Sequence, residues 1–301
     1  MKEIIECVPN FSEGRNEEVI EEILASIKKV DGVKVWDVLV DKDHNRTVVT
    51  FIGDKDAVKK AALDSAYTAA KLIDMSKHKG AHPRVGAVDV IPFVPLFNSS
   101  VETCIELANE VSEEISKNLN IPVYNYGQAA KRESLKDLGY IQNIQYEKLF
   151  EKIKEEAYAP DYGKSEMNEK LGASLVGARN ILVAFNVNLG TDDLKIAKEI
   201  AKKIRYSSGG LRYVKAMGLK LEERKLTQVS MDMGNYEKTA MYQAFEMIKM
   251  EAKRYGVEIV ESEIIGLLPM DAMFDTTQYY FKAHTFKKGQ VIEKKLLDEF
   301  I

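Results

Sequence analysis

The stretch Lys77-His78-Lys79-Gly80-Ala81-His82-Pro83-Arg84-Val85-Gly86-Ala87 places two of the chain's four histidines, an arginine and three backbone punctuators just ahead of a strongly apolar run ending at Phe93. Imidazole titrates near neutrality and can accept or deliver a proton, and a guanidinium offers a planar fork to carboxylates. Pro83 disfavours the helical region for His82, so that ring is held on extended backbone, and Gly80 and Gly86 allow other groups to approach closely. His78 and His82 are four apart, a zinc-binding spacing on a helix, but Gly80 and Pro83 argue against a helix and no third ligand is evident. No metal is expected. His284 is read as an ordinary surface or packed residue, and Ser207-Ser208-Gly209-Gly210 lacks the lysine and hydroxyl spacing of a phosphate-cradling loop.

The elements around that loop say what positions it. Ile4 to Val8 reads as a strand, Asn16 to Lys29 as a helix capped by Asn16, Val33 to Val40 and Thr47 to Ile52 as a strand pair, a helix capped by Asp54 follows, and Val85 to Phe93 is the next strand. Strand, helix, strand, strand, helix, strand is the split βαβ order. In that topology the loops Asn10 to Arg15, Asp41 to Arg46 and Lys77 to Arg84 emerge at one end of the sheet, so their polar groups are expected to converge. A helix, Val101 to Leu119, and a strand, Ile121 to Tyr126, extend the unit, while Lys131 to Ala159 is weakly patterned apart from a short helix near Tyr146. The same order then repeats: a strand ending at Leu189, a helix begun by Thr191, Asp192 and Asp193, strands Leu211 to Leu221 and Leu226 to Met233, a helix Tyr236 to Tyr255, and a strand Val257 to Ile264. Asn186 and Asn188 share one face of their strand, as do Gln228, Ser230 and Asp232 of theirs. The expected fold is α+β: two ferredoxin-like (βαββαβ) subdomains, 1–179 and 180–301, with antiparallel or mixed sheets and helices packed on one face.

The 301 residues are 45% hydrophobic and 30% charged, enough for well-formed cores, and a net charge of -4 gives no global pull toward nucleic acid or anionic membrane. Cys7 and Cys104 suggest neither a disulfide framework nor a thiolate cage. With no signal peptide or long apolar stretch, a soluble cytoplasmic protein is expected.

Glu6-Cys7-Val8-Pro9-Asn10-Phe11-Ser12-Glu13-Gly14, Asn45-Arg46-Thr47-Val48, His82-Pro83-Arg84 with Gly86-Ala87, and Gly177-Ala178-Arg179 with Ala184-Phe185-Asn186 closely resemble the formiminotransferase family, including the N-terminal part of formiminotransferase-cyclodeaminase. The resemblance implies transfer of a formimino group from N-formimino-L-glutamate to tetrahydrofolate, as co-substrate, in histidine degradation and one-carbon metabolism. It carries the catalytic role to His82 and makes the stretch Gly163, Lys164, Ser165, Glu166, Met167, Asn168, Glu169, Lys170, Leu171, Gly172 the counterpart of the family's folate-binding loop. This stretch lacks prolines found in vertebrate relatives. The second subdomain would complete the folate site, a homodimer is expected, and the folate could carry a polyglutamate tail.

The chemistry of such a transfer suits one imidazole, which takes a proton from the attacking pterin nitrogen and returns one to the departing glutamate nitrogen. A near-neutral pKa is expected for His82, with Asp41 or Asp43 orienting its ring. Arg84, Arg46, Arg15 and Arg179 are candidates for the substrates' carboxylates, Arg84 at the catalytic centre and Arg179 at the folate. Asn10, Arg46, Asn186 and Gln228 are the candidate substrate contacts. Formyl transfer between 5-formyl-tetrahydrofolate and glutamate, or folate binding without catalysis, are the alternatives. Met270 to Ile301 is too short for an independent cyclodeaminase domain, so a separate cyclodeaminase is expected downstream.

Overall fold

The computed structural model describes residues 3–42, 44–80, 82–221 and 224–300. The chain divides into two compact units, Met1–Asn180 and Ile181–Ile301. The first contains β1 (Ile4–Cys7), β2 (Asn10–Phe11), α1 (Glu17–Lys28), β3 (Lys34–Asp41), β4 (Arg46–Gly53), α2 (Lys55–Leu72), β5 (Val88–Phe97), α3 (Val101–Leu119), β6 (Val123–Gly127), α4 (Gly139–Gln142), α5 (Gln145–Lys152) and β7 (Ser174–Ala178). Asn16 and Asp54 cap α1 and α2 as their side-chain types suggest, each accepting from amides of the first turn.

Both β1 and β2 pair antiparallel with β4 and β5, so they are two halves of one strand interrupted at Val8 and Pro9. The seven-stranded sheet thus runs β3, β4, β1 with β2, β5, β7, β6, and its last two strands are parallel to β5. The first four positions are the split βαβ arrangement expected from the sequence. β7 lies between β5 and β6 and was absent from the sequence reading, which placed only the β6 strand as an extension. The weakly patterned tract holds α4 and α5. α2 and α3 pack on the sheet and on each other, and Ile5, Phe11, Phe51, Ile91, Phe93 and Leu107 lie in the resulting core.

The second unit contains β8 (Val183–Leu189), α6 (Leu194–Ile204), β9 (Val214–Leu221), β10 (Leu226–Met233), α7 (Met241–Arg254), β11 (Ile259–Ile265), α8 (Met270–Phe281) and α9 (Ile292–Phe300). Its sheet order, β11, β8, β10, β9, is antiparallel throughout and is again the split βαβ order. Alternation decides the faces: Val183, Phe185, Val187, Val229 and Met231 enter the core with Ile200 and Ile248 of the helices, while Asn186, Asn188 and Gln228 point the other way. The tail after Pro269 adds α8, whose Ala272 joins this core.

Candidate active site

Three loops of the first unit are stapled together at one end of its sheet, and Asn45 reaches all three. It sits in the left-handed region at φ 50°, which asparagine tolerates. Its Oδ1 accepts from the Gly14 amide at 2.9 Å, and its Nδ2 donates to the Lys79 carbonyl at 3.2 Å. One side chain therefore joins the loop after β2, the β3–β4 hairpin and the segment before β5. Thr47 Oγ1 donates to Glu13 O, Arg15 Nε to Lys42 O, and Ser12 Oγ to Gly86 O. The approach is close enough that a Cβ at Gly14 would stand 2.2 Å from Asp41 O, and one at Gly80 2.1 Å from His44 O. Only glycine fits at these contacts. The convergence expected from topology is present.

His82 stands in this cluster with both ring nitrogens engaged. Nδ1 meets the Pro83 carbonyl at 2.6 Å, a contact that favours the tautomer with its hydrogen on Nδ1, and Arg46 Nη1 lies against the ring, 2.5 Å from Nε2 and 2.9 Å from Nδ1. The other terminal nitrogen of Arg46 donates to Asn10 Oδ1, and Asn10 Nδ2 donates to Val8 O. Burial, and then the Arg46 guanidinium, hold the His82 pKa down to about 4, against the smaller opposing effect of the Pro83 carbonyl. The near-neutral value expected from sequence is thus corrected: the ring is firmly neutral.

Asp41 serves a different imidazole from the expected one. Its carboxylate meets His44 Nδ1 at 2.8 Å and accepts from the His44 amide at 2.8 Å, and the His44 ring packs edge-on to His82 with centroids 5.5 Å apart. Asp43 lies outside the described residues. Arg84 also departs from expectation. It is buried, and its terminal nitrogens donate to both oxygens of Glu147 at 2.9 and 2.7 Å while Nε donates to His78 Nδ1 at 3.1 Å. The fork is filled by the protein. This makes Arg84 a brace for its loop rather than an open receptor for a substrate carboxylate. His78 passes the brace on, donating from Nε2 to Asn45 O at 2.9 Å, and burial lowers its pKa. The ion pair lowers that of Glu147.

The Gly163 to Gly172 stretch lies beside the same segment. Leu171 O accepts from the Ala87 amide and Lys170 O from the Met75 amide. Met167 and Leu171 are buried anchors, Asn168 Oδ1 caps its own turn through the amides of Lys170 and Leu171, and Lys164, Ser165, Glu166, Glu169 and Lys170 are exposed. Arg179 follows the far end of β7, about 16 Å along the strand by its rise per residue, and its amide donates to Phe93 O. Asn186 and Gln228 belong to the second unit, where Gln228 Nε2 donates to Asn188 Oδ1 at 2.9 Å and to Glu263 Oε2 at 3.1 Å. Among the described residues no group of three or more His, Cys, Asp or Glu side chains is arranged to hold a metal ion, and no helix is long and apolar enough to cross a membrane.

Sequence reasoning did not single out Asn45 or Glu147 as site residues. The first lay inside a motif already noted; Glu147 had no signal.

The family model described as the formiminotransferase domain, N-terminal subdomain, matches residues 4–179, and that of the formiminotransferase domain matches 184–297. The chain belongs to the formiminotransferase family. It is 46% identical to the glutamate formimidoyltransferase of Thermoplasma acidophilum, over 97% of each chain, and 45% identical to that of Streptococcus pyogenes serotype M1, over 99% of this chain and 100% of that one. It is 41% identical to the mouse (Mus musculus) formimidoyltransferase-cyclodeaminase, over 93% of this chain and 53% of that larger relative. In this formiminotransferase the histidine of the His-Pro-Arg motif sits among loops tied together by Asn45, Thr47, Ser12 and Arg84.

Proposed function

We propose that this protein transfers the formimino group of N-formimino-L-glutamate to tetrahydrofolate, giving 5-formimino-tetrahydrofolate and L-glutamate, with His82 as the proton carrier. The observation that carries the reading is the setting of that ring: Nδ1 meets the Pro83 carbonyl, which leaves Nε2 as the proton acceptor, and the Arg46 guanidinium lies against both ring nitrogens. The N5 nitrogen of tetrahydrofolate attacks the amidine carbon, a new C–N bond forms, and the N5 proton passes to His82 Nε2. The bond from that carbon to the glutamate nitrogen then breaks as His82 returns the proton to the departing nitrogen. No other reactant is needed.

Arg46 gates the base. A carboxylate of the incoming formiminoglutamate takes the guanidinium and offsets the charge that depresses the His82 pKa, so binding brings the imidazole toward the range where it exchanges protons efficiently. Asn10, which already accepts from Arg46, steadies the guanidinium in either arrangement. The exposed polar residues of the Gly163 to Gly172 stretch and Arg179 contact the folate, while Asn186 and Gln228 are hydrogen-bonding candidates of the second unit. The product is a substrate for a cyclodeaminase, the second activity in the mouse relative's name.

The test is an ultraviolet assay of tetrahydrofolate with formiminoglutamate. His82→Ala should keep its fold and folate affinity and lose turnover by about 10²-fold or more, the scale of a positioned acid and base. Near-normal turnover in that variant would sink the assignment.

A further inference from the structure

The transfer chemistry uses no group on β5, yet that strand carries a carboxylate that the core does not require. Asp89 is 2% exposed between Val88 and Val90. Its Oδ1 accepts from the Val85 amide at 2.7 Å and its Oδ2 from Gln142 Nε2 at 2.7 Å, the latter reaching from the short helix α4. Gln142 is itself 8% exposed. Burying an ionised carboxylate costs more than burying an apolar side chain of that size, so a role in stability alone would favour valine or leucine here. Burial raises the Asp89 pKa, against the nearby Arg46 and Arg84 guanidiniums and both hydrogen bonds.

We propose that Asp89 is a positioning residue for His82, fixing through the Val85 amide and Gln142 the segment of backbone from which the imidazole projects. The bonds around Val85 make the route short. The Arg84 carbonyl accepts from the Tyr146 amide, the Val85 carbonyl from the Ala173 amide, and the Ala87 amide donates to Leu171 O. Each of these fastens one side of the segment to α5 or to the stretch before β7. Asp89 alone fastens the Val85 amide, three residues from His82, and does so from the rigid strand rather than from a loop. Without it, Val85 N–H and the Gln142 amide lose their buried partner, and the segment can shift toward other acceptors. The inference rests on His82 as the proton carrier.

The experiment reads the imidazole directly, with ¹³C-labelled histidine and the His82 signal assigned through His82→Gln, beside steady-state kinetics. In Asp89→Ala the His82 signal should shift and broaden. Its kcat should fall about ten- to a hundred-fold with both KM values within about three-fold, since a small displacement of a proton carrier costs rate before binding. Asp89→Asn should keep the wild-type signal and a kcat within about three-fold, because its Oδ1 still accepts from Val85 while its amide meets the carbonyl end of a turned Gln142. If Asp89→Ala does not fold, Gln142→Leu carries the comparison, with a smaller shift and a loss of about five-fold in kcat. An unmoved His82 signal in the folded alanine or leucine variant, or an asparagine variant as impaired as alanine, overturns the proposal. Full turnover in His82→Ala would instead overturn the catalytic reading, and the signal of His82 would still judge its positioning.

Discussion

Replacing Arg46 with glutamine removes the cation beside His82 while keeping a polar side chain of similar reach. In the folded protein His82 is held at about 4 against an ordinary 6.5. At about 1.4 kcal/mol per unit, the surroundings favour the neutral ring by about 3 kcal/mol. Burial is the larger cause and Arg46 the next, so glutamine should raise the His82 pKa above its wild-type value and still leave it below 6.5. A titration of the His82 signal measures this directly. The sign extends to stability: between about 4 and 6.5 the unfolded chain binds the proton that the folded one refuses, so stability rises with pH across that window. His82's contribution is complete above about 6.5 and lost as the pH falls to about 4; discounted for partial exposure it is about 2 kcal/mol. Urea unfolding at both ends of the window should show Arg46→Gln losing less on acidification than wild type. A His82 that titrates in the variant as in wild type would refute the role given to Arg46, and one that returns fully to 6.5 would refute the dominance of burial.

The brace around Arg84 predicts that Arg84→Met lowers stability by about 1 to 2 kcal/mol, discounted because the Glu147 side chain is 60% exposed, with kcat falling more than KM rises; unchanged kcat and urea midpoint would return Arg84 to the open-receptor reading. Gly80→Ala must displace the His44 carbonyl from 2.1 Å, and should cost about 2 kcal/mol or more in thermal unfolding together with most of the turnover. Arg46→Lys keeps a charge but not the fork, so the His82 pKa should stay low while KM for formiminoglutamate rises; an unchanged KM would remove Arg46 from the substrate site. Gln228→Leu leaves Asn188 and Glu263 without its amide, and a change in folate or formiminoglutamate KM would place Gln228 at a ligand, whereas a change in stability alone would confine it to its own sheet.

What could be read before the structure follows from how each strand is buried. In the second unit one sheet face is covered by helices, so Val183, Phe185, Val187 alternate with Ala184, Asn186, Asn188 and the period of two is plain. β7, Ser174-Leu175-Val176-Gly177-Ala178, is buried at every position and joined to its neighbours in parallel, so it shows neither alternation nor a hairpin turn and passed unseen. The site divides along a similar line. That three loops would meet could be deduced from strand order alone, because the split βαβ topology puts them at one end whatever their residues are. What each side chain would hold there could not, because the partners are set by tertiary contact: Glu147 fills the Arg84 fork from 63 residues away, and His44, not His82, takes the Asp41 carboxylate. The same argument explains the His82 pKa. A lone imidazole in an exposed loop would titrate near 6.5, and the depression to about 4 arises from burial within the loop cluster and from a guanidinium on the neighbouring hairpin. The residue type was therefore open to sequence reasoning, but its resting protonation state was not. On the proposed function, a proton carrier kept neutral by burial and by Arg46 needs both loops at once, which would make the β3–β4 hairpin as much a part of the catalytic unit as the His82 loop.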